Sequence, residues 1–321
     1  MGKNLPAKKY KVGNRTERFL HYELSHTGSS TDSHFIDLAA GLCAVNKRAY
    51  RQGLYYYIKS ISVVETTKPT KIQFGTAPDV WQVPQAWKMG FRAWSKMNSI
   101  AAQNIPGGDL KIAGQYHDFK IFLNNNHRTE HLNDPQLDVT VPTNGPASMD
   151  GDPHENVTDW DYSVLHSMDP NGNNAPADAF HIMLLGNHQG SDNAYDAVSL
   201  VKSYVNSKRK QEAQPLLLEE SMEADPLVNM FDISDTADDV IEDLQDFNDQ
   251  PPYDGDGVYS DTILRAQGYA SPGNAGLMLP GFCVPFGILE VLTNCGENND
   301  VKILVEMAPG PYHGVYAERI V

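Results

Sequence analysis

The sequence LYYYIKSISVVE, residues 54–65, decides the fold class of this chain. Aromatic and β-branched residues dominate it, and such side chains fit a pleated, half-buried surface. The sequence therefore predicts one long β-strand here. Other runs of alternating or continuous apolar residues predict further strands. They cover residues 116–123, 160–168, 179–185, 281–292, 301–307 and 315–320.

The hydrophobic period changes from two to 3.6 after residue 81. Trp87, Phe91 and Trp94 recur at i, i+4 and i+7, while Lys88, Arg92 and Lys96 recur four apart on the other side. This spacing predicts an amphipathic helix, with a proline near its first turn. Large aromatic side chains usually bury most of their area. We expect four of them to anchor the core: Trp81, Trp87, Phe91 and Trp94. A base-stacking platform is the alternative, and it would need exposed rings.

The predicted elements favour an all-β fold. Seven or eight strands, one strong helix and long irregular loops are expected, without the regular βαβ alternation of a parallel sheet. We therefore expect an antiparallel eight-stranded β-sandwich of the jelly-roll type, with one inserted amphipathic helix and long loops. The expected organisation is a flexible basic arm over residues 1–18 and a single domain over residues 19–321. An acidic loop insertion is expected at about residues 217–261.

Charge is concentrated in two segments. The chain of 321 residues has a net charge of −16, but residues 217–261 hold fifteen acidic and no basic residues, so the remainder carries only −1. The first eighteen residues hold six cations and one acid. A basic arm suggests a polyanionic partner, although an ordinary solvated terminus is the alternative. The candidate nucleic-acid contacts are Lys3, Lys8, Lys9, Lys11, Arg15 and Arg18.

Several function classes find no support in the sequence. No apolar signal segment opens the chain, and three widely spaced cysteines fit reduced thiols in an intracellular protein. The longest apolar run, residues 276–292, is interrupted by two prolines and carries Glu290, so we expect no membrane span. Phosphate-binding loops and nucleophile motifs are missing, and we expect no enzymatic activity.

Two metal sites are weaker hypotheses. Asp254, Asp256 and Asp261 could offer oxygens to calcium, although a solvated acidic loop is the simpler interpretation. The sequence HRTEH, residues 127–131, matches the inverted zinc-protease motif H-x-x-E-H. That chemistry would need His127 and His131 on one helical face, and the flanking turn residues favour a polar loop instead.

An ordered set of motifs resembles the capsid proteins of uncultured small circular Rep-encoding single-stranded DNA viruses. The set comprises AVNKR (44–48), YRQG (50–53), the tryptophan-rich segment 81–98, DFKIF (118–122) and GVYAER (314–319). The resemblance is strongest over residues 46–123 and at the C-terminus. Circoviruses carry a long arginine-rich N-terminal arm, whereas this arm holds six cations.

The resemblance implies a single jelly roll that self-assembles into an icosahedral shell around circular single-stranded DNA. The implied partners are further copies of the chain, in a multiple of sixty, and the DNA genome. The implied location is the virion, with the host nucleus or cytoplasm before assembly. The alternatives are a jelly-roll lectin-like or calcium-dependent binding protein, and a metal hydrolase that uses His127 and His131.

Overall fold

β-Strands dominate the part of the chain that the computed structural model describes. That part comprises residues 16–26, 31–103, 119–133, 160–166, 179–191, 194–207, 262–273, 276–296 and 298–320. The predicted acidic insertion lies outside it.

The strands and helices have the following bounds. The strands are β1 (Phe19–His26), β2 (Thr31–Asp37), β3 (Leu54–Thr66), β4 (Thr70–Thr76), β5 (Val164–His166), β6 (Ala179–Met183), β7 (Gln189–Ser191), β8 (Ala194–Ser199), β9 (Ile263–Ala270), β10 (Leu277–Pro280), β11 (Cys283–Val284), β12 (Ile288–Asn294), β13 (Asn299–Met307), β14 (Pro309–Gly310), β15 (Gly314–Val315) and β16 (Ala317–Arg319). The helices are α1 (Leu38–Asn46), α2 (Gln82–Gln103), α3 (Asn125–Asn133) and α4 (Leu200–Asn206).

Two antiparallel sheets form the body. Sheet one has the order β1-β13-β3-β10, and β11 and β16 also pair with β3. Sheet two has the order β2-β12-β4-β9. A separate sheet, β5-β6-β8-β7, contains one parallel pair, β6 with β8. β14 and β15 form a short ribbon.

The pairings in sheets one and two are nested along the chain. The outermost pair is β1 with β13, in sheet one, and the next is β2 with β12, in sheet two. Inside these lie β3 with β10, in sheet one, and β4 with β9, in sheet two. Successive pairs therefore alternate between the two sheets.

The two sheets share one hydrophobic core. On β1, Leu20, Tyr22 and Leu24 are fully buried and alternate with exposed residues. Ile72 and Phe74 of β4 join the same cluster from sheet two. Because each fully buried side chain of this kind contributes about 1.5–3 kcal/mol, this shared core holds the sheets together as in a β-sandwich.

A second core covers the other face of sheet two. Ile288 of β12 and Phe35 of β2 pack there against α2, α4 and the segment 119–123. In α2, Trp87 and Trp94 are only 3% and 8% exposed. Phe91 is half-buried and stacks on Trp87 with ring centroids 5.8 Å apart.

Trp81 does not anchor this core, so its sequence-based assignment was wrong. Its side chain is 50% exposed and meets only the edge of the Tyr204 ring among the aromatic contacts of the described residues. The reason is its position: Trp81 lies one residue before α2 begins at Gln82, outside the i, i+4, i+7 stripe that faces the sheet.

Several predicted elements differ in the structure. The expected strand at residues 116–123 is not a strand over its described part; only Phe122 forms an isolated bridge, to Met183. The expected polar loop at residues 127–131 lies within helix α3. The expected continuous strand at residues 281–292 is interrupted at Pro285–Gly287 by a tight 3-10 turn.

A buried polar junction joins the sandwich to the segment 119–123. Gln52 donates to the Asp37 carboxylate over 2.7 Å and to the Ile121 carbonyl over 3.0 Å, and it accepts from the Ile121 N–H over 2.7 Å. The Trp160 indole N–H also donates to Asp37, over 3.1 Å. Gln52 thus supplies the hydrogen-bond partners of both backbone groups of Ile121.

Candidate nucleic-acid interface

The predicted basic arm enters the described structure at Thr16. Lys3, Lys8, Lys9, Lys11 and Arg15 lie outside the described residues. Arg18 is half-buried, and its carbonyl oxygen accepts a hydrogen bond from the Met307 N–H over 2.9 Å. This bond fixes the start of β1 against β13. Of the six predicted nucleic-acid contacts, the described residues therefore include only Arg18, which lies at the edge of sheet one.

Residues 16 and 17 are held on the sandwich by side-chain hydrogen bonds. The Thr16 hydroxyl donates to the His313 carbonyl over 2.8 Å and accepts from Arg48 Nη1 over 3.1 Å. The Asn46 side chain accepts from the Glu17 N–H over 2.8 Å and donates to the Glu17 carbonyl over 3.0 Å. The arm therefore leaves the body from a fixed point beside Arg48 and His313.

Helix α1 positions the cations beside this point. The Asp37 side chain caps its N-terminus by accepting from the Ala39 and Ala40 N–H groups. Its C-terminus closes at Lys47, which has a left-handed backbone with φ of 52° and donates its N–H to the Cys43 carbonyl over 2.9 Å. The chain reverses there and presents Lys47 exposed and Arg48 half-buried.

The C-terminal strand adds a further cation at the same place. β16 pairs with the start of β3, so that Arg319 lies opposite Leu54. Arg319 lines one surface pocket of about 420 Å³ together with Arg51, Tyr312 and His313. We call the surface formed by Thr16, Lys47, Arg48, Arg51, the turn at Tyr312–His313 and Arg319 the arm-root surface.

The electrostatics of the arm-root surface favour an anion. Among the ion pairs between described residues, none involves Arg48 or Arg319. Burial raises the pKa of Tyr50 and of Tyr312 above the ordinary tyrosine value, while the Arg48 and Arg51 guanidinium groups oppose these shifts. Both hydroxyls therefore stay neutral at physiological pH and add no negative charge beside these arginines.

Sequence reasoning predicted the arm but not the cations of the body. Lys47, Arg48 and Arg51 lie within five residues of one another, which is a local basic cluster that the sequence displays. Arg319 is distant in sequence, and only the pairing of β16 with β3 brings it to the same place. No local signal could have assigned Arg319 to this surface.

The predicted metal sites gain no support from the described residues. Asp254, Asp256 and Asp261 lie outside them. Within the described ranges, no group of three or more His, Cys, Asp or Glu side chains is arranged to hold a metal ion. His127 and His131 do share helix α3, but His127 is buried; its Nδ1 accepts from the Leu123 N–H over 3.1 Å and its Nε2 lies 3.1 Å from the Tyr162 hydroxyl. Both ring nitrogens of His127 thus lie within hydrogen-bonding distance of neighbouring protein groups rather than facing a metal site.

None of the described helices combines the length and the apolar character needed to cross a membrane. No protein-family model matches the sequence, and no curated protein or solved structure is significantly similar to it. The function must therefore be inferred from the fold and from the residues of the chain itself.

Proposed function

We propose that this chain is a viral major capsid protein that assembles into an icosahedral shell around a circular single-stranded DNA genome. The observation that carries the proposal is the nested strand pairing, β1·β13, β2·β12, β3·β10 and β4·β9, alternating between two sheets. This winding is expected for a long hairpin rolled into two sheets, as in the jelly roll of viral capsid and lectin domains, and it therefore supports the proposal.

The end of the sandwich formed by β9 and β10 supports the assembly proposal. β9 and β10 are the terminal strands of sheets two and one and lie beside each other. Exposed apolar side chains concentrate on them: Tyr269 is 65% and Met278 69% exposed, and Leu264 is 49% exposed. Exposed apolar edge strands are a liability for a monomer, whereas contacts between copies of a shell protein would cover them.

The arm-root surface supports the choice of partner. It places cations of the folded body beside the point where a segment with five more cations begins. Phosphate neutralisation by lysine and arginine supplies most of the affinity of sequence-tolerant nucleic-acid binding. In the proposed shell this surface faces the genome, and the protein resides in the virion, with the host nucleus or cytoplasm as its location before assembly.

The test is the assembly state of the purified full-length chain. Negative-stain microscopy and mass photometry should show closed round particles of sixty copies or a multiple of sixty, as icosahedral symmetry requires. Lectin domains share this strand winding, so the assembly state distinguishes the two proposals. A monodisperse monomer or dimer across salt and pH would contradict the capsid proposal. Sugar- or calcium-dependent binding by such a monomer would favour the lectin-like alternative.

A further inference from the structure

The pocket of the arm-root surface has the lining of a phosphate site. Two arginines and an exposed histidine contribute to it, namely Arg51, Arg319 and His313. The described residues that complete its wall are Ala49, Leu54, Tyr312 and Ala317, none of them acidic. Its volume of about 420 Å³ falls within the range of small-ligand pockets, roughly 300–1,000 Å³.

Strand alternation keeps the nearest carboxylate of β16 away from the pocket. Ala317 and Arg319 line the pocket, so Glu318 projects from the opposite face of the strand. There it accepts hydrogen bonds from the Tyr316 hydroxyl over 2.6 Å and from the Tyr57 hydroxyl over 3.4 Å. The Arg319 guanidinium is therefore not neutralised by its sequence neighbour.

The backbone around the pocket is fixed before any ligand arrives. The Arg51 N–H donates to the Tyr312 hydroxyl over 3.2 Å, and the Arg51 carbonyl accepts from the Tyr56 hydroxyl over 2.8 Å. On the opposite wall, the His313 carbonyl accepts from both the Thr16 and the Tyr50 hydroxyls. Such preorganisation lowers the entropic cost of binding.

The remaining wall suits a planar group. The Tyr312 ring is half-buried and braced by the His313 ring, with centroids 4.8 Å apart, and by the edge of the Tyr50 ring at 5.8 Å. Leu54 and Ala317 continue this wall. An aromatic surface beside an arginine pair is the arrangement on which single-stranded nucleic acids bind, with bases stacked and phosphates neutralised.

We propose that this pocket binds one nucleotide unit of single-stranded DNA, with its phosphate at Arg51 and Arg319 and its base against Tyr312. Arginine suits this role because its planar guanidinium donates two parallel hydrogen bonds to phosphate oxygens. This assignment rests on the proposed function, since the genome is the source of the ligand. It adds a body-borne contact to those of the arm, beside the point where the arm begins.

The test measures binding of a fluorescent ten-nucleotide oligo-dT to the full-length chain in its unassembled form, by anisotropy at several salt concentrations. Arg319→Gln should weaken binding several-fold and reduce the magnitude of the salt slope by about 0.7, the value for one lost phosphate contact on a single strand. The matched control is Arg92→Gln, which removes an exposed arginine from α2 and should bind as the wild type does.

Two further experiments distinguish binding at this pocket from binding by the N-terminal arm and from general charge attraction. In a Lys8→Gln/Lys9→Gln background, Arg319→Gln should still cause its several-fold loss, because the pocket acts independently of those arm residues. Inorganic polyphosphate of equal charge should compete more weakly than oligo-dT, since it offers no base to Tyr312. Unchanged binding by Arg319→Gln, or equal competition by polyphosphate, would overturn the assignment. Failure to form particles would instead count against the capsid proposal, and the binding measurement could still be interpreted.

Discussion

Asp37 combines two structural tasks in one buried carboxylate. One oxygen caps α1 by accepting from the Ala39 and Ala40 N–H groups, and the other accepts from the Gln52 amide and the Trp160 indole. Burial raises its pKa from 3.8 to about 6, and these four hydrogen bonds oppose the shift. The desolvation of the charged form is therefore only partly offset.

His34 shows the opposite behaviour in the middle of the same strand. Burial lowers its pKa from 6.5 to about 4, with the neighbouring His26 acting in the same direction and Asp32 against it. The folded state thus favours protonated Asp37 but neutral His34. The contribution of Asp37 to the free energy of unfolding is largest below pH 4 and is lost as the pH rises through 6. The contribution of His34 is complete above pH 6.5 and is lost as the pH falls through 4.

The two groups should therefore impose opposite pH slopes on the free energy of unfolding between pH 4 and 6. Relative to the wild type, His34→Gln should lose stability as pH rises through this range, because only the Asp37 slope remains. Asp37→Asn should gain relative stability over the same range, by at most about 1.4 kcal/mol per pH unit. Urea unfolding at half-unit pH intervals measures both differences.

Asp37→Asn should also carry a cost that does not depend on pH. The amide nitrogen introduced there would face two donors, the Gln52 amide and the Trp160 indole. Because these donors would lose their acceptor, the free energy of unfolding should fall by about 1–3 kcal/mol. Parallel pH profiles for the wild type and both variants would refute the assigned directions of the two pKa shifts.

Gly53 is the residue that allows α2 to approach the sandwich. Its φ of +81° is a left-handed conformation, and a Cβ there would overlap the Trp87 indole ring. Gly273 is a matched control, because its φ is +76° but nothing lies within 4 Å of the corresponding Cβ position. We expect Gly53→Ala to cost about 3 kcal/mol or more and Gly273→Ala about 1 kcal/mol, the backbone strain alone.

Thermal or chemical unfolding of the two glycine variants separates the overlap from the backbone effect. Equal losses would mean that only φ matters and that Trp87 relaxes without cost. A larger loss for Gly53→Ala would show that the packing of α2 depends on this close approach.

At the scale of elements, period and composition predicted the long strand and the long helix well. β3 spans Leu54–Thr66 and α2 spans Gln82–Gln103, because in both the apolar residues repeat with the period of the element. β1 has a readable alternation too, with Leu20, Tyr22 and Leu24 inward, but it adjoins the basic terminal segment and is absent from the strands that the sequence predicts. The pairing partners of these strands are separated by up to about 290 residues, which local patterns cannot reveal.

Helix α3 and the segment 119–123 show where sequence patterns fail. NNHRTEHLN has no apolar stripe, and the helix starts because the Asn124 side chain accepts from the His127 N–H over 2.9 Å. Residues 119–123 are apolar enough for a strand, but Gln52 and residues 182–185 provide their hydrogen bonds instead of a regular ladder. In both cases tertiary contacts decide the local structure.

Trp94, in the aromatic stripe of α2, and Trp81, just before that helix, should differ in their sensitivity to truncation. Trp94 is 8% exposed and its ring lies 5.5 Å from that of Phe119, so Trp94→Ala should cost about 3–5 kcal/mol. Trp81→Ala should cost about 1 kcal/mol or less, since half of that side chain is already in solvent. Urea midpoints of the two variants measure the contrast, and equal midpoints would place the stripe in solvent.

At the scale of the whole molecule, charge segregation sets the orientation that we propose for the shell. Residues 217–261 carry fifteen negative charges per chain, and lining the interior with them would repel DNA. We therefore propose that this segment faces outward or lies at contacts between subunits. There Asp254, Asp256 and Asp261 are candidate ligands for calcium, which takes six to eight oxygens.

The basic arm should govern packaging but not assembly. Since Thr16 and Glu17 are bonded to the body, a truncation should remove only residues 1–15. It deletes Lys3, Lys8, Lys9, Lys11 and Arg15, and the loss of five phosphate contacts should reduce the magnitude of the salt slope by about 3.5–4.5. Shells should still form, because the nested strand pairs and the β9–β10 edge remain.

The ratio of absorbance at 260 and 280 nm in purified particles reports the packaged nucleic acid. The truncated chain should show a ratio well below that of the wild type, and adding Arg319→Gln should lower it further. Truncation with Arg92→Gln is the matched control and should equal truncation by itself. A truncated chain that keeps the wild-type ratio would exclude the arm as the main genome contact and would leave the arm-root surface of the body as the principal one.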